Sequence, residues 1–462
     1  MRALKAVLVL TIQMCVISCL WAEETQPTAR DVLTETLEGF DDETEPVSAE
    51  TCEAFVPSVY ELSGSASLST AYNYAQDPPS EGQTDYRGFS RLRGQLDLGL
   101  DIRLPREWKA RISNQSYYDA IYAIRGRDEY SDELLDTNEN EAELKEVYVQ
   151  GSLTENLDLK VGRQIVVWGK SDNIRVTDIL NPLERREPGM VDIEDLRLPV
   201  GMTRLDYYFG KWDLTGLLIH EVRFSKRPAF GSDFFSSSAI PPPEEEPATT
   251  LENTQYAVAL SRTLGKWDIA FYVAEVFDDR AHVEEDLVSL EQVRRHSKFR
   301  MAGTAASVAR GNWLLKGAAA YFEHLRYSAD PDQPKTRYDV LAGVEYRGFS
   351  DTAISMEVAN RHIVGFVEGM SDPPDSVREN EFQSALRLTR DCLHDTLRLG
   401  YLVGLFGTDG GDGGFQRCWV DYQMTDAVTV TAGIVDYRYG DIPPYGTIGA
   451  NDRIFAELRY SF

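Results

Sequence analysis

From Ser58 onward the chain alternates between apolar and polar positions. In residues 91–104, Leu92, Leu96, Leu98, Leu100, Ile102 and Leu104 share one parity, while Arg91, Arg93, Gln95, Asp97, Asp101 and Arg103 share the other. A period of two places the sets on opposite faces of a strand. Turning an Arg to mid-bilayer would cost about 2–4 kcal/mol, so the leucines are expected to meet lipid and the charges to face a lumen. The next segment obeys the same rule, with Trp108, Ala110 and Ile112 outward and Lys109, Arg111, Ser113 and Gln115 inward. Leu104, Pro105 and Arg106 make the short turn between them.

Applied along the chain, the pattern predicts strands near 59–75, 86–104, 106–122, 142–153, 157–168, 199–210, 212–224, 254–264, 267–278, 296–310, 313–327, 337–349, 352–366, 379–390, 396–407, 415–425, 427–439 and 450–462. That is about 18 strands; sixteen is the nearest alternative, because residues 415–439 are weakly patterned. Short turns follow the even strands and long loops the odd ones, and an even number lets the first strand close antiparallel on the last. The expected fold class is all-β: a transmembrane antiparallel β-barrel with short periplasmic turns and long extracellular loops. Trp212, Trp267 and Trp313 each open a strand just after a tight turn, as an interfacial aromatic girdle requires.

The ends of the chain agree. Residues 1–22 carry Arg2 and Lys5 and then an apolar run from Ala6 to Leu20, too short to span a bilayer, and read as a secretory signal peptide cleaved after Ala22. Val16-Ile17-Ser18-Cys19 is the competing processing site and would leave a lipid on Cys19. Residues 23–57 are expected to form an acidic periplasmic segment, and 58–462 the barrel. The last residues alternate Ile454, Ala456, Leu458, Tyr460 and Phe462 with Glu457, Arg459 and Ser461. This resembles the C-terminal signal read by the barrel assembly machinery of Gram-negative outer membranes. Outer-membrane lipid and lipopolysaccharide would then surround the outer face.

Composition narrows the function. There are 75 acidic and 47 basic residues and a net charge of −28, which argues against nucleic acid as a partner. The chain is too polar for a helical membrane bundle, whereas a barrel needs only alternate residues to be apolar. Of five cysteines, Cys52 and Cys392 are both expected on the periplasmic side, where a disulfide between them is geometrically allowed. The six histidines show no paired metal spacing, and Gly407–Gly414 reads as a flexible loop sooner than a calcium site. No cofactor is expected. No short motif singles out a Ser and a His, so a lipid-active enzyme is the least favoured reading.

The most individual stretch is 160–235. It holds Gly162-Arg163-Gln164, Trp168-Gly169, Asn181-Pro182, Leu198-Pro199-Val200, Pro228 and Gly231-Ser232-Asp233-Phe234. With these motifs the chain resembles a family of Gram-negative outer-membrane barrels of largely uncharacterised function. The resemblance implies a porin-like or export channel and names no cargo. Between strands 5 and 6 lies a loop of about thirty residues, long enough to be functional, carrying Lys170, Arg175, Arg185, Arg186 and Glu187 among other charges. Such a loop sits on the rim or folds into the lumen; constriction is the preferred reading, with opposed charges setting a transverse field. The wall around it is expected to include Arg91, Arg93, Arg111, Glu146, Arg163, Glu221, Arg223, Glu345, Arg347, Glu357, Arg361, Arg387 and Arg398. Arg163 shares parity with Val161 and Ile165, so a bulge at Gly162 is needed to turn it inward. The function expected is passive diffusion of small solutes. The alternative is a dedicated channel for a hydrophobic compound or lipid, working with an inner-membrane pump; the partner it calls for is a periplasmic or inner-membrane transport protein.

Overall fold

The alternating segments become strands that pair in chain order. The structure, a computed structural model, describes residues 59–79, 84–192, 195–236, 240–286 and 290–462. The expectations for the signal peptide, the acidic segment, a lipid on Cys19 and the Cys52–Cys392 disulfide lie outside the described residues. The barrel strands are β1 (Tyr60–Asn73), β2 (Gly88–Arg103), β3 (Lys109–Asp119), β4 (Asn140–Thr154), β5 (Leu157–Gln164), β6 (Val200–Phe209), β7 (Trp212–Ile219), β8 (Gln255–Leu264), β9 (Trp267–Phe277), β10 (Lys298–Arg310), β11 (Trp313–Leu325), β12 (Lys335–Phe349), β13 (Thr352–Val364), β14 (Asn380–Cys392), β15 (Leu397–Phe406), β16 (Gly413–Thr425), β17 (Val428–Arg438) and β18 (Arg453–Ser461). They form one 18-stranded antiparallel sheet. β1 pairs with β18 from Ser65 opposite Ser461 to Asn73 opposite Arg453, which closes the sheet and leaves no edge. A small sheet of residues 244–245, 282–285 and 292–295 stands apart among the long loops.

Short turns gather at one end. Gly210, Gly265 and Gly311 turn their hairpins with φ of 63°, 63° and 61°, a conformation that a side chain would disfavour. Just beyond the last two, Trp267 and Trp313 are exposed on the outer face, with Phe271, Val273 and Leu315 above them. The apolar outer band that lipid demands is therefore present. No helix among the described residues is long and apolar enough to cross a membrane.

Two strands end earlier than alternation suggests, β5 at Gln164 and β7 at Ile219. At β5 the backbone leaves the ladder for a side chain, and at β7 two N–H groups crowd onto one carbonyl of the neighbouring strand. Val166 N–H donates to the Asn181 side chain at 2.8 Å rather than across the sheet. His220 and Glu221 N–H both converge on the Gly201 carbonyl. From these two points the chain turns into the barrel.

The inner wall is of two kinds. From β6 to β14 much of it is apolar and small, with Ala257, Ala259, Ala270, Ala274, Ala305, Ala318, Ala320, Ala359 and Ala385 all buried. Around β2 to β4 and β14 to β17 it carries arginines and carboxylates.

Candidate functional site

The loop between β5 and β6 (residues 165–199) is built to lie inside the barrel. Its first part is apolar: Val166, Trp168, Ile174, Val176 and Leu180 are buried against the alanine-rich wall. Trp168 stacks on Tyr272 of β9 with ring centres 4.8 Å apart, and the neighbouring Gly169 N–H donates to the Tyr272 hydroxyl at 3.1 Å. Small wall residues leave the room that this segment fills. Glu357 of β13 accepts the backbone N–H groups of Asp172, Asn173 and Ile174 at 2.8, 3.0 and 3.0 Å. Asn181 ties the two ends of the loop together, accepting from Val166 N and donating to the Leu198 carbonyl at 2.8 Å. These bonds satisfy buried backbone groups that would otherwise be costly.

The second part crosses to the far wall. Glu187 pairs with Arg91 of β2, and the Tyr437 hydroxyl of β17 donates to the Pro188 carbonyl at 2.5 Å. Asp192 bridges Arg387 of β14 at 2.8 Å and Arg417 of β16 at 3.2 Å. The loop thus touches strands on opposite sides of the barrel, and only a path through the lumen permits that.

A second inward segment follows β7. Lys226 pairs in parallel with Glu184, and Lys226 N–H donates to the Leu183 carbonyl at 2.9 Å. Extended backbone sends successive side chains opposite ways. Glu184 and Arg186 turn toward β3 and β4, where Arg186 meets Glu141 at 2.7 Å and Lys226 meets Glu143 at 2.6 Å; Arg223 also pairs with Glu143. Arg185 points the other way. Protein surrounds it, yet it keeps exposed surface. Burial pushes its pKa down to about 10, Asp279 opposes this, and Arg175, Arg227 and Arg361 add to it. Burial alone would raise Asp279, but Arg185, Arg227 and the Ser225 N–H hold it below the usual carboxylate range.

The other residues expected at the pore are placed as follows. Arg93 stands 3.4 Å from Asp119 and over the Tyr117 ring. Arg175 reaches Asp178 at 3.1 Å, and Arg361 reaches Asp339 at 3.6 Å. Toward the short-turn end, Arg111 bridges Asp101 and Glu146, Arg347 pairs with Glu345, and Arg398 pairs with Asp391. Lys170 is half-buried where the loop begins.

Arg163 and Glu221 require correction. Gly162 has φ +127°, but no register shift occurs there, and Arg163 stays opposite Val147 and Gly201. Arg163 and Glu221 pair across the gap that Gly201 leaves, on the face opposite buried Val200 and Met202. They belong to the outer face; the bulge lies instead in β4, where Lys145 and Glu146 are extra against Ser113. Asp192 was legible only as one of the loop's many charges; sequence reasoning missed Arg227 and Asp279, which sit beside Lys226 and between Asp278 and Arg280 in irregular segments with no periodicity. Asn181 and Asp233 carried a signal, since both stood in quoted motifs; Asp233 binds Arg453 of β18 at 2.9 Å.

Residues 61–462 match the family described as "Protein of unknown function (DUF1302)". No curated protein matches the sequence. The fold is similar to that of OccAB3 of Acinetobacter baumannii, with a TM-score of 0.50 at 14% identity over 87% of this chain and 99% of that one. OccAB2 of the same organism gives 0.49 at 10% identity over 87% and 98%. Its outer membrane channel DcaP gives 0.41 at 11% identity over 87% and 97%. The likeness is one of fold: a closed antiparallel β-barrel of the porin kind.

Proposed function

The chain belongs to that family, and from the geometry of its lumen we propose passive diffusion of small solutes across the outer membrane, with selectivity set by the charged loop after β5. The observation that carries this reading is the crossing of the lumen by residues 165–199, anchored on the far wall through Asp192. A segment so placed narrows the passage, and its unshared charges sort ions. The reading asks for no chemistry.

The test is single-channel conductance of purified, folded protein in a planar bilayer, with the reversal potential measured in a salt gradient. Stable steps with a definite ion preference are expected, and replacing Arg185 and Arg186 together with Gln should move that preference toward cations. An unchanged reversal potential would remove selectivity from the loop. Silence from folded protein would favour a dedicated channel for a hydrophobic compound, a reading supported by the apolar inner wall from β6 to β14.

A further inference from the structure

We infer that Arg185, flanked by Arg227 and Arg361, is a binding subsite for the oxyanion of a small solute, a carboxylate or a phosphate. This rests on the channel reading and adds to it the class of solute. The nearby carboxylates are already shared. Asp178 serves Arg175 at 3.1 Å and Arg197 at 2.9 Å. Asp339 serves Arg337 at 2.7 Å and Arg361 at 3.6 Å. Asp279 is divided between Arg227, 3.6 Å away, and Arg185, which it faces without an ion-pair contact. Arg185 has no ion pair or side-chain hydrogen bond among the described residues, whereas its neighbour Arg186 bonds Glu184, Glu141, Tyr117 and the Thr137 carbonyl.

A guanidinium carries five N–H donors in a planar fork that fits two oxygens of one anion. Enclosed by protein and beside other arginines, an unpaired one is electrostatically costly, and a bound oxyanion relieves that cost. Because the Arg185 side chain keeps open surface, the anion reaches it through water. Arg227 lies one residue beyond Lys226, which is held by Glu141 and Glu143, and is itself exposed. Alternation therefore delivers both arginines to the same side of the paired segments.

The test is calorimetric titration of the full-length, detergent-folded protein with succinate and, separately, inorganic phosphate. One or both should bind. Arg185→Gln should weaken binding more than tenfold, Arg185→Lys should weaken it several-fold because charge remains without the fork, and Arg300→Gln on the outer face should leave it unchanged. The tighter probe identifies the anion. Failure of both probes to bind the native protein, or equal affinity in Arg185→Gln, overturns the subsite. If Arg185→Gln does not fold, as judged by heat-modifiable gel migration, Arg227→Gln is read the same way, with a several-fold loss expected. Binding is measured without current. A silent bilayer with intact binding therefore sinks only the open-channel reading, and a conducting pore indifferent to Arg185 sinks only the subsite.

Discussion

The two parts of the loop after β5 sit in the same lumen and are held there differently. Residues 166–180 are packed, with Trp168, Ile174, Val176 and Leu180 at most 6% exposed against a wall of alanines. Residues 183–197 are tethered, through Glu187, Asp192 and Arg186, to charged partners on distant strands. Burial of large side chains is worth several kcal/mol and is indifferent to salt. Part-exposed ion pairs are worth about 0–1 kcal/mol each and weaken with salt. In the proposed channel, the first part is therefore the fixed element of the constriction, and the second is the part whose charges solutes meet.

The largest expected effect comes from breaking the packed part. Trp168→Ala should cost about 3–5 kcal/mol of packing, free the loop from β9, raise unit conductance several-fold and expose the loop to protease in folded barrels. Conductance and protease resistance like the native protein's would show that packing does not fix the loop. Next is Glu357→Ala, which leaves three backbone N–H groups without their acceptor at about 1–3 kcal/mol each. Frequent switching between conductance levels is the expected record; a single steady level would mean that Trp168 and its neighbours suffice.

Loosening the tethered part should do less to size and more to charge. Asp192→Asn removes the shared carboxylate of Arg387 and Arg417. Unit conductance should stay within about twofold, while reversal potentials shift toward anions; this shift should be larger at low salt, where screening is weak. A large rise in conductance instead would make the tether a structural anchor equal to the packed part.

The smallest effect is expected from mild acid. Asp279 has a folded pKa below its ordinary value, so its contribution to stability is complete above that ordinary value and is lost only as pH falls through the folded one. Ion preference should accordingly stay flat from about pH 8 to 5 and move toward anions only below about pH 4. A shift already complete by pH 5 would mean that Asp279 is not held by Arg185 and Arg227.

The barrel is legible in the chain's own pattern. Strict alternation, with arginines on one parity and leucines on the other, leaves a lipid-spanning strand one orientation. Strand number, the tight turns at Gly210, Gly265 and Gly311, and the closure through Phe462 follow from local chemistry repeated along the chain. Arg163 shows where that logic was overruled by mistake: simple parity placed it outward, and the structure keeps it there, paired with Glu221 over Gly201. Which charges are left free depends instead on contacts between segments far apart in the chain. Arg185 and Arg186 are adjacent and chemically identical, and their fates differ because the pairing of Glu184 with Lys226 turns one toward Glu141 and the other into open water. That pairing joins segments from two different loops, and no periodicity within either one records it.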